Sequence, residues 1–230
     1  MEKIIVGLGG SSTNDGGCGA AAAVGIKFYD KDGKEFVPTG GTTADIAKID
    51  LSGRAKVLDQ VEIVTMCDID NPMYGPTGAS YIFGPQKGAE EAMFGERYAG
   101  IKNLSRVIAE ATGEDISQVP GTGAAGAMGA GMIAFFGSRL QMGIQTVLDT
   151  VNFDEMIKDA DYIITGEGKL DSQSLRGKVV IGIAERAKKQ NKNVIAVVGG
   201  ADDSEIDKAY EMGVTAVFPI NRLPQDFSIS

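Results

Sequence analysis

Carboxylates set among glycine, serine and threonine, each in a polar stretch that follows a short apolar run, are the residues here that could do chemistry. Asp15 lies in Gly9-Gly10-Ser11-Ser12-Thr13-Asn14-Asp15-Gly16-Gly17-Cys18-Gly19, behind Ile4-Ile5-Val6-Gly7-Leu8. Asp68 and Asp70 lie in Cys67-Asp68-Ile69-Asp70-Asn71-Pro72, and Glu167 and Asp171 in Gly166-Glu167-Gly168-Lys169-Leu170-Asp171-Ser172-Gln173-Ser174, behind Tyr162-Ile163-Ile164-Thr165. Three cations, Lys87, Arg176 and Lys178, stand beside two of these acidic groups. No nucleophile with an activating base stands out. The mixture suits phosphoryl transfer, in which positioning, a metal ion and charge neutralisation carry catalysis.

The first stretch reads as strand, glycine-rich turn and helix start. Backbone N–H groups gather at such a junction, where the positive end of the helix dipole stabilises an anion. Asp15 conflicts with that role unless a metal bridges it to the anion or it accepts a proton; capping of the following helix is the competing reading, and both stay open. Asp68 and Asp70 follow a strand candidate over 61–67, the place where open α/β sheets bind ligands. A solvated Asx turn explains them without a ligand.

Composition narrows the classes. The chain has 230 residues, 43% apolar and 23% charged, within the range of soluble globular proteins. Its 32 glycines are about twice the usual share and cluster in loops, which makes backbone-mediated binding the theme. A net charge of -9 without any run of Lys or Arg argues against nucleic acid. No apolar run has the length of a membrane span and no signal peptide is evident, so the expectation is a cytoplasmic protein that does not use a membrane. With no histidine, Ser-His-Asp and Cys-His catalysis and most zinc sites are excluded. Cys18 and Cys67 read as small buried side chains.

The positioning elements follow from periodicity. Strands are expected at 4–8, 26–29, 61–67, 162–165, 194–200 and 216–218, the first and fourth as buried strands. Helices are expected at 19–24, 44–49, 90–112, partly at 147–157, and at 179–189 and 206–212, with a hairpin turn at 30–34. Gly123, Gly126 and Gly129 recur every third residue, which close helix packing explains, whereas Gly121-Thr122-Gly123 suits a ligand loop. A βαβαβ rhythm after residue 146 implies a parallel sheet. The α/β chain divides on this reading into a glycine-rich domain over 1–145 and a partial Rossmann-like domain over 146–230. No Walker A sequence is present. A binding module that holds a small anion or nucleotide without turnover is the alternative to a kinase, and a dinucleotide oxidoreductase lacks its G-x-G-x-x-G sequence.

Taken in order, these motifs resemble the bacterial type I glycerate kinases. The resemblance rests on 9–17, Cys67-Asp68-Ile69-Asp70-Asn71-Pro72, Gly78-Ala79-Ser80, Phe83-Gly84-Pro85-Gln86-Lys87-Gly88, Gly126-Ala127-Met128-Gly129 and 164–174. It implies two α/β domains, one mixed and one Rossmann-like and discontinuous, with the active site in the cleft between them. It also implies ATP-dependent phosphorylation of D-glycerate at the 2-hydroxyl with Mg²⁺, and leaves homo-oligomerisation open. Carried over by position, Asp171 becomes the base or substrate-orienting acid and Asp68 and Asp70 serve catalysis. Asp70 and Glu167 become metal ligands; Ser11, Thr13, Asn14 and Asp15 line the cleft; Lys87 and Arg176 face phosphate or the glycerate carboxylate. Family members are longer, and the resemblance places this chain from one of their middle strands to short of their last helix. A shortened chain that binds but does not turn over is the corresponding alternative.

Overall fold

In the computed structural model, residues 2–78, 91–172 and 174–221 are described, except for the side chains of 91–97 and Arg176. The expectations for Lys87, for 79–88 and for 222–224 therefore lie outside the described residues. The chain forms two units, Met1–Gln141 and Met142–Ser230. The first unit reaches Gln141 because β6 (Arg139–Gln141) pairs in parallel with β5, and the boundary precedes the one expected at 145/146 because the helix Gly143–Thr150 is tied to Arg186 through Gln145 and Asp149.

The first unit holds a parallel sheet of order β1-β5-β6, with β1 at Glu2–Gly7 and β5 at Val61–Met66. Ile63, Val64 and Thr65 are buried, as a central parallel strand requires. The expectation of a buried first strand is not met: β1 is an edge strand, and Ile4 and Ile5 are 45% and 39% exposed. A second, antiparallel sheet has the order β3-β2-β4, from Glu35–Phe36, Lys27–Tyr29 and Lys48–Asp50. Its turn is held by Asp30, whose Oδ1 accepts the amides of Asp32 and Lys34.

The helix expected at 44–49 is replaced by a 3-10 turn, Thr43–Asp45, and by β4. Asn103 Nδ2 donates to the carbonyls of Thr43, Ala44 and Ile46, acceptors a helix would have used, and Ile49 gains burial by pairing with Phe28. Asn103 sits on α2 (Glu91–Thr112), which buries Ile101, Leu104, Val107 and Ile108 on one face. The short α1 (Cys18–Ala23) and α3 (Ala124–Phe136) complete this core, where Phe135 meets Phe28 edge to face at 5.8 Å. Both cysteines are free and buried.

In the second unit α4 (Gly143–Thr150) and α5 (Phe153–Met156) precede β7 (Tyr162–Leu170), α6 (Val179–Lys189), β8 (Asn193–Ala201), α7 (Asp203–Glu211) and β9 (Ala216–Pro219). The sheet is parallel with order β7-β8-β9. Val194, Ala196 and Val198 of β8 are buried with Val180, Ile181, Ala184 and Ala187 of α6. The expected short buried strand at 162–165 is corrected twice. It runs nine residues, through Gly166-Glu167-Gly168-Lys169, because glycine lets its backbone close on β8: a Cβ at Gly166 would overlap the Val197 carbonyl. It is also open on one face, where Tyr162 and Ile164 are exposed.

Candidate active-site loops

In the first loop the local fold engages both carboxylate oxygens of Asp15. Its Oδ1 accepts the Thr13 hydroxyl at 2.6 Å and the Gly17 amide at 3.0 Å, and its Oδ2 accepts the Gly19 amide at 2.9 Å. Asp15 thus caps α1 and ties Thr13 to the helix start. Burial, the largest single influence, pushes its carboxyl up, but the bonds from Thr13, Gly19 and Gly17 together outweigh it and hold the group below the ordinary aspartate value. Ser11, Thr13 and Asn14 are half-buried in the same loop. Asn14 packs against Gly126, where a Cβ would come 2.5 Å from Asn14 Cα.

Gly126 belongs to a feature that no periodicity announced. Ala125, Gly126 and Ala127 have φ of 54°, 67° and 66°, a left-handed turn inside the first turn of α3. Two alanines in that region are strained, a condition that persists only where the surroundings impose it. Here the Gly126 carbonyl accepts the Gly16 amide at 3.1 Å. The later glycines pack as expected: a Cβ at Gly129 would overlap the Gly121 carbonyl, and one at Gly131 the Gly16 carbonyl.

The acidic loop is braced by the same segment. The Cys67 thiol donates to the Ile69 carbonyl at 3.2 Å and to the Gly121 carbonyl at 3.7 Å, and the Gly123 amide donates to the Asn71 carbonyl at 2.9 Å. Burial pushes the Cys67 thiol up; the Ile69 contact opposes this and the charges of Asp68 and Asp70 add to it. Asn71 closes the loop through Nδ2 to the Thr77 carbonyl at 2.7 Å. Asp68 and Asp70 themselves are exposed. Residues 121–127 therefore touch both candidate loops of this unit, and Gly121-Thr122-Gly123, which suits a ligand loop by sequence, also braces the acidic loop.

In the second unit Glu167, Asp171 and Ser174 come together at the end of β7. Asp171 and Ser174 cap each other: the Ser174 amide donates to Asp171 Oδ1 and the Asp171 amide to Ser174 Oγ, both at 3.2 Å. Ser174 is 2% exposed and its hydroxyl also donates to the Lys169 carbonyl. The Asp-x-x-Ser spacing was the available signal for this pair. Glu167 Oε1 is buried and has no hydrogen-bond partner among the described residues. Burial raises the Glu167 carboxyl above its ordinary value, Asp171 raises it further, and Ser174 and Lys178 work in the other direction. Lys169 pairs with Asp202 at 2.8 Å. The backbone of Arg176 lies in the 3-10 turn Ser174–Arg176, with its side chain outside the described atoms. The expected site residues among those described thus lie in three loops, two in the first unit and one in the second.

No helix among the described residues is long and apolar enough to cross a membrane. A model of the Glycerate kinase family matches residues 1–229. A glycerate kinase of Bacillus cereus is 45% identical over 223 residues, covering 97% of this chain and 58% of that protein. The glycerate 2-kinase of Escherichia coli K12 is 45% identical over 218 residues, with 95% and 57% covered. A crystal structure of a putative glycerate kinase 2 from Salmonella typhimurium LT2 superposes with a TM-score of 0.81 at 41% identity, covering 95% of this chain and 56% of that one. The chain spans a little over half the length of the relatives it matches. With a whole-chain match to the family and a fold shared with one of its solved structures, the chain belongs to the glycerate kinase family.

Proposed function

We propose that this protein carries strand-end groups of an ATP-dependent kinase that phosphorylates D-glycerate at the 2-hydroxyl, giving 2-phosphoglycerate. The observation that carries the reading is the end of β7, where Glu167 with its unpartnered buried oxygen lies beside Asp171, Ser174 and Lys178. The name of the Escherichia coli relative supports the 2-position.

Asp171 takes the hydroxyl proton as the oxygen attacks the γ-phosphorus of ATP and the bond to the β-phosphate oxygen breaks. Ser174 fixes its carboxyl through the reciprocal cap. Lys178, with Arg176 and Lys87, balances phosphate or the glycerate carboxylate, while Ser11, Thr13 and Asn14 offer hydroxyl and amide donors. Mg²⁺ is ordinarily held by one or two carboxylates together with substrate phosphates. Glu167, with a buried oxygen that has no hydrogen-bond partner among the described residues, fits a single carboxylate contact to such an ion. Glu167 would hold it at the end of β7, where the ion would neutralise phosphate charge, and Asp70, exposed in the first unit, is proposed as a metal ligand in its own right.

A second reading, an anion- or nucleotide-binding module without turnover, is favoured by the first loop, where the Asp15 carboxylate is tied to Thr13, Gly17 and Gly19 and the neighbouring hydroxyls and amides can serve an anion. A coupled assay of the 230-residue chain with ATP, Mg²⁺ and D-glycerate separates the two. Turnover is expected, with Asp171→Asn lowering kcat about 100-fold or more; an unchanged rate removes Asp171 from that role. Calorimetric binding of ATP without turnover establishes the second reading.

A further inference from the structure

Lys169 stands between Glu167 and Asp171 near the end of β7, and its Nζ pairs with Asp202 Oδ1 at 2.8 Å. Backbone bonds pin both partners to the Asp171 turn: the Lys169 carbonyl accepts the Ser174 hydroxyl, and the Asp202 amide donates to the Leu170 carbonyl at 3.0 Å. The bond to Asp202 and the charge of that carboxylate hold the ammonium above the ordinary lysine value, and the charge of Asp171 adds to this. The carboxyl ends of β7 and β8 thus present a cation within electrostatic reach of Asp171, at the edge where open α/β sheets take ligands.

Asp202 also occupies the N-cap of α7, with φ -84° and ψ 117°. An aspartate there ordinarily accepts an amide of the first helical turn. Its carboxylate makes no such bond and is held by Lys169 instead. The two side chains are 56% and 44% exposed, and an ion pair as open as this is weak. Lys169 therefore leaves at little cost, because Asp202 then gains the helix amide it now forgoes. A polyphosphate, with more charge and more acceptor oxygens than one carboxylate, is the stronger partner for the ammonium. Asp203 and Glu205 in the first turn of α7 oppose an anion on the helix end, although Glu205 is paired with Lys208 at 2.9 Å, so the anion belongs beside Lys169. We propose that Lys169 is a phosphate-binding residue of the β7 site, handed from Asp202 to a phosphate of the nucleotide while Asp202 turns to cap α7. ATP as the ligand rests on the proposed kinase function; the handover itself requires only a polyphosphate.

Calorimetric titration of the 230-residue chain with ATP and with inorganic tripolyphosphate tests this, with Lys169→Met, Asp202→Asn and Lys208→Met beside wild type. Lys169→Met is expected to weaken both ligands about tenfold, with circular dichroism and Tm kept because the side chain is exposed. Asp202→Asn retains a capping side chain and frees the ammonium, so both ligands are expected to bind about threefold tighter. Lys208→Met removes an equally exposed cation from α7 and controls for net charge; its effect is expected to stay below about twofold. In wild type, tripolyphosphate is expected to slow hydrogen exchange at the Ser204 amide, the donor that a capping Asp202 would engage. Affinities that Lys169→Met leaves unchanged, or that Asp202→Asn lowers as far as Lys169→Met does, overturn the proposal. So do exchange at Ser204 that ignores the ligand and a wild type that binds neither polyphosphate. Turnover of D-glycerate with affinities indifferent to Lys169 overturns the handover alone. Lys169-dependent binding in a chain that does not phosphorylate D-glycerate removes the kinase reading and supports the handover.

Discussion

Replacing Gly126 by Ala tests whether the left-handed turn holds the first loop by direct contact. Two contributions can be separated. Positive φ costs an alanine about 1 kcal/mol, and Gly126 has φ +67°. The added Cβ would also overlap the Thr13 carbonyl oxygen, 2.8 Å from Asn14 Oδ1 and 2.5 Å from its Cα. Two of these atoms are backbone, so the loop itself has to shift, a displacement that costs about 1–3 kcal/mol by analogy with overpacked cores. The sum is about 2–4 kcal/mol, or about 6–12 °C in Tm for a unit of this size. Gly33→Ala supplies the control, because Gly33 has φ +75° with nothing within 4 Å of its would-be Cβ; about 1 kcal/mol and about 3 °C are expected there. Thermal and urea unfolding measure both variants. Hydrogen exchange at the Gly16 amide, bonded to the Gly126 carbonyl, reports the loop locally and is expected to accelerate only in Gly126→Ala. Equal losses in the two variants would refute the contact argument and leave backbone strain as the whole effect.

Asp15→Ala removes the cap of α1 and is expected to cost about 1 kcal/mol at pH 7. Because the folded-state carboxyl titrates below its ordinary value, this stability is present above about pH 4 and is lost as pH falls through the folded value. Urea midpoints of wild type and variant should accordingly converge on acidification; a gap that widens contradicts the capping role. Arg186 joins α6 to α4 and α5, donating through Nε and Nη2 to Asp154 at 2.9 and 2.6 Å and through Nη1 to Asp149 at 2.7 Å. Both aspartates are partly solvated, so Arg186→Ala is expected to cost about 1–2 kcal/mol, and less in high salt, in urea unfolding at two ionic strengths. A loss of zero at low salt contradicts the network.

Most of the elements were legible in local sequence, since each draws on a signal carried within a few residues. The α6 helix spans 179–189 as its periodicity implied, the turn at 30–34 follows from Asp30 and Gly33, and the parallel pairing of β7, β8 and β9 follows from the βαβ rhythm. The stretches that gather donors and carboxylates were also visible, because glycine, serine and aspartate in a loop behind an apolar run advertise themselves. Tertiary contacts decided the rest. Residues 44–49 became a turn and a strand because Asn103, some 57 to 60 residues away, took their carbonyls. Asp15 became a cap because both its oxygens found donors in one short turn. Strand β1 was read as buried from its own apolar run, but burial belongs to the neighbours a strand acquires, and at the edge of its sheet Ile4 and Ile5 acquired few. The left-handed turn at 125–127 likewise has no local signature in two alanines. Only its contacts with Thr13, Asn14 and Gly16 impose it. Sequence alone determined the chemistry available and the family; the tertiary structure decided which of those groups hold the loops, as Asp15 does, and which, like Glu167 Oε1, are buried without a hydrogen-bond partner among the described residues.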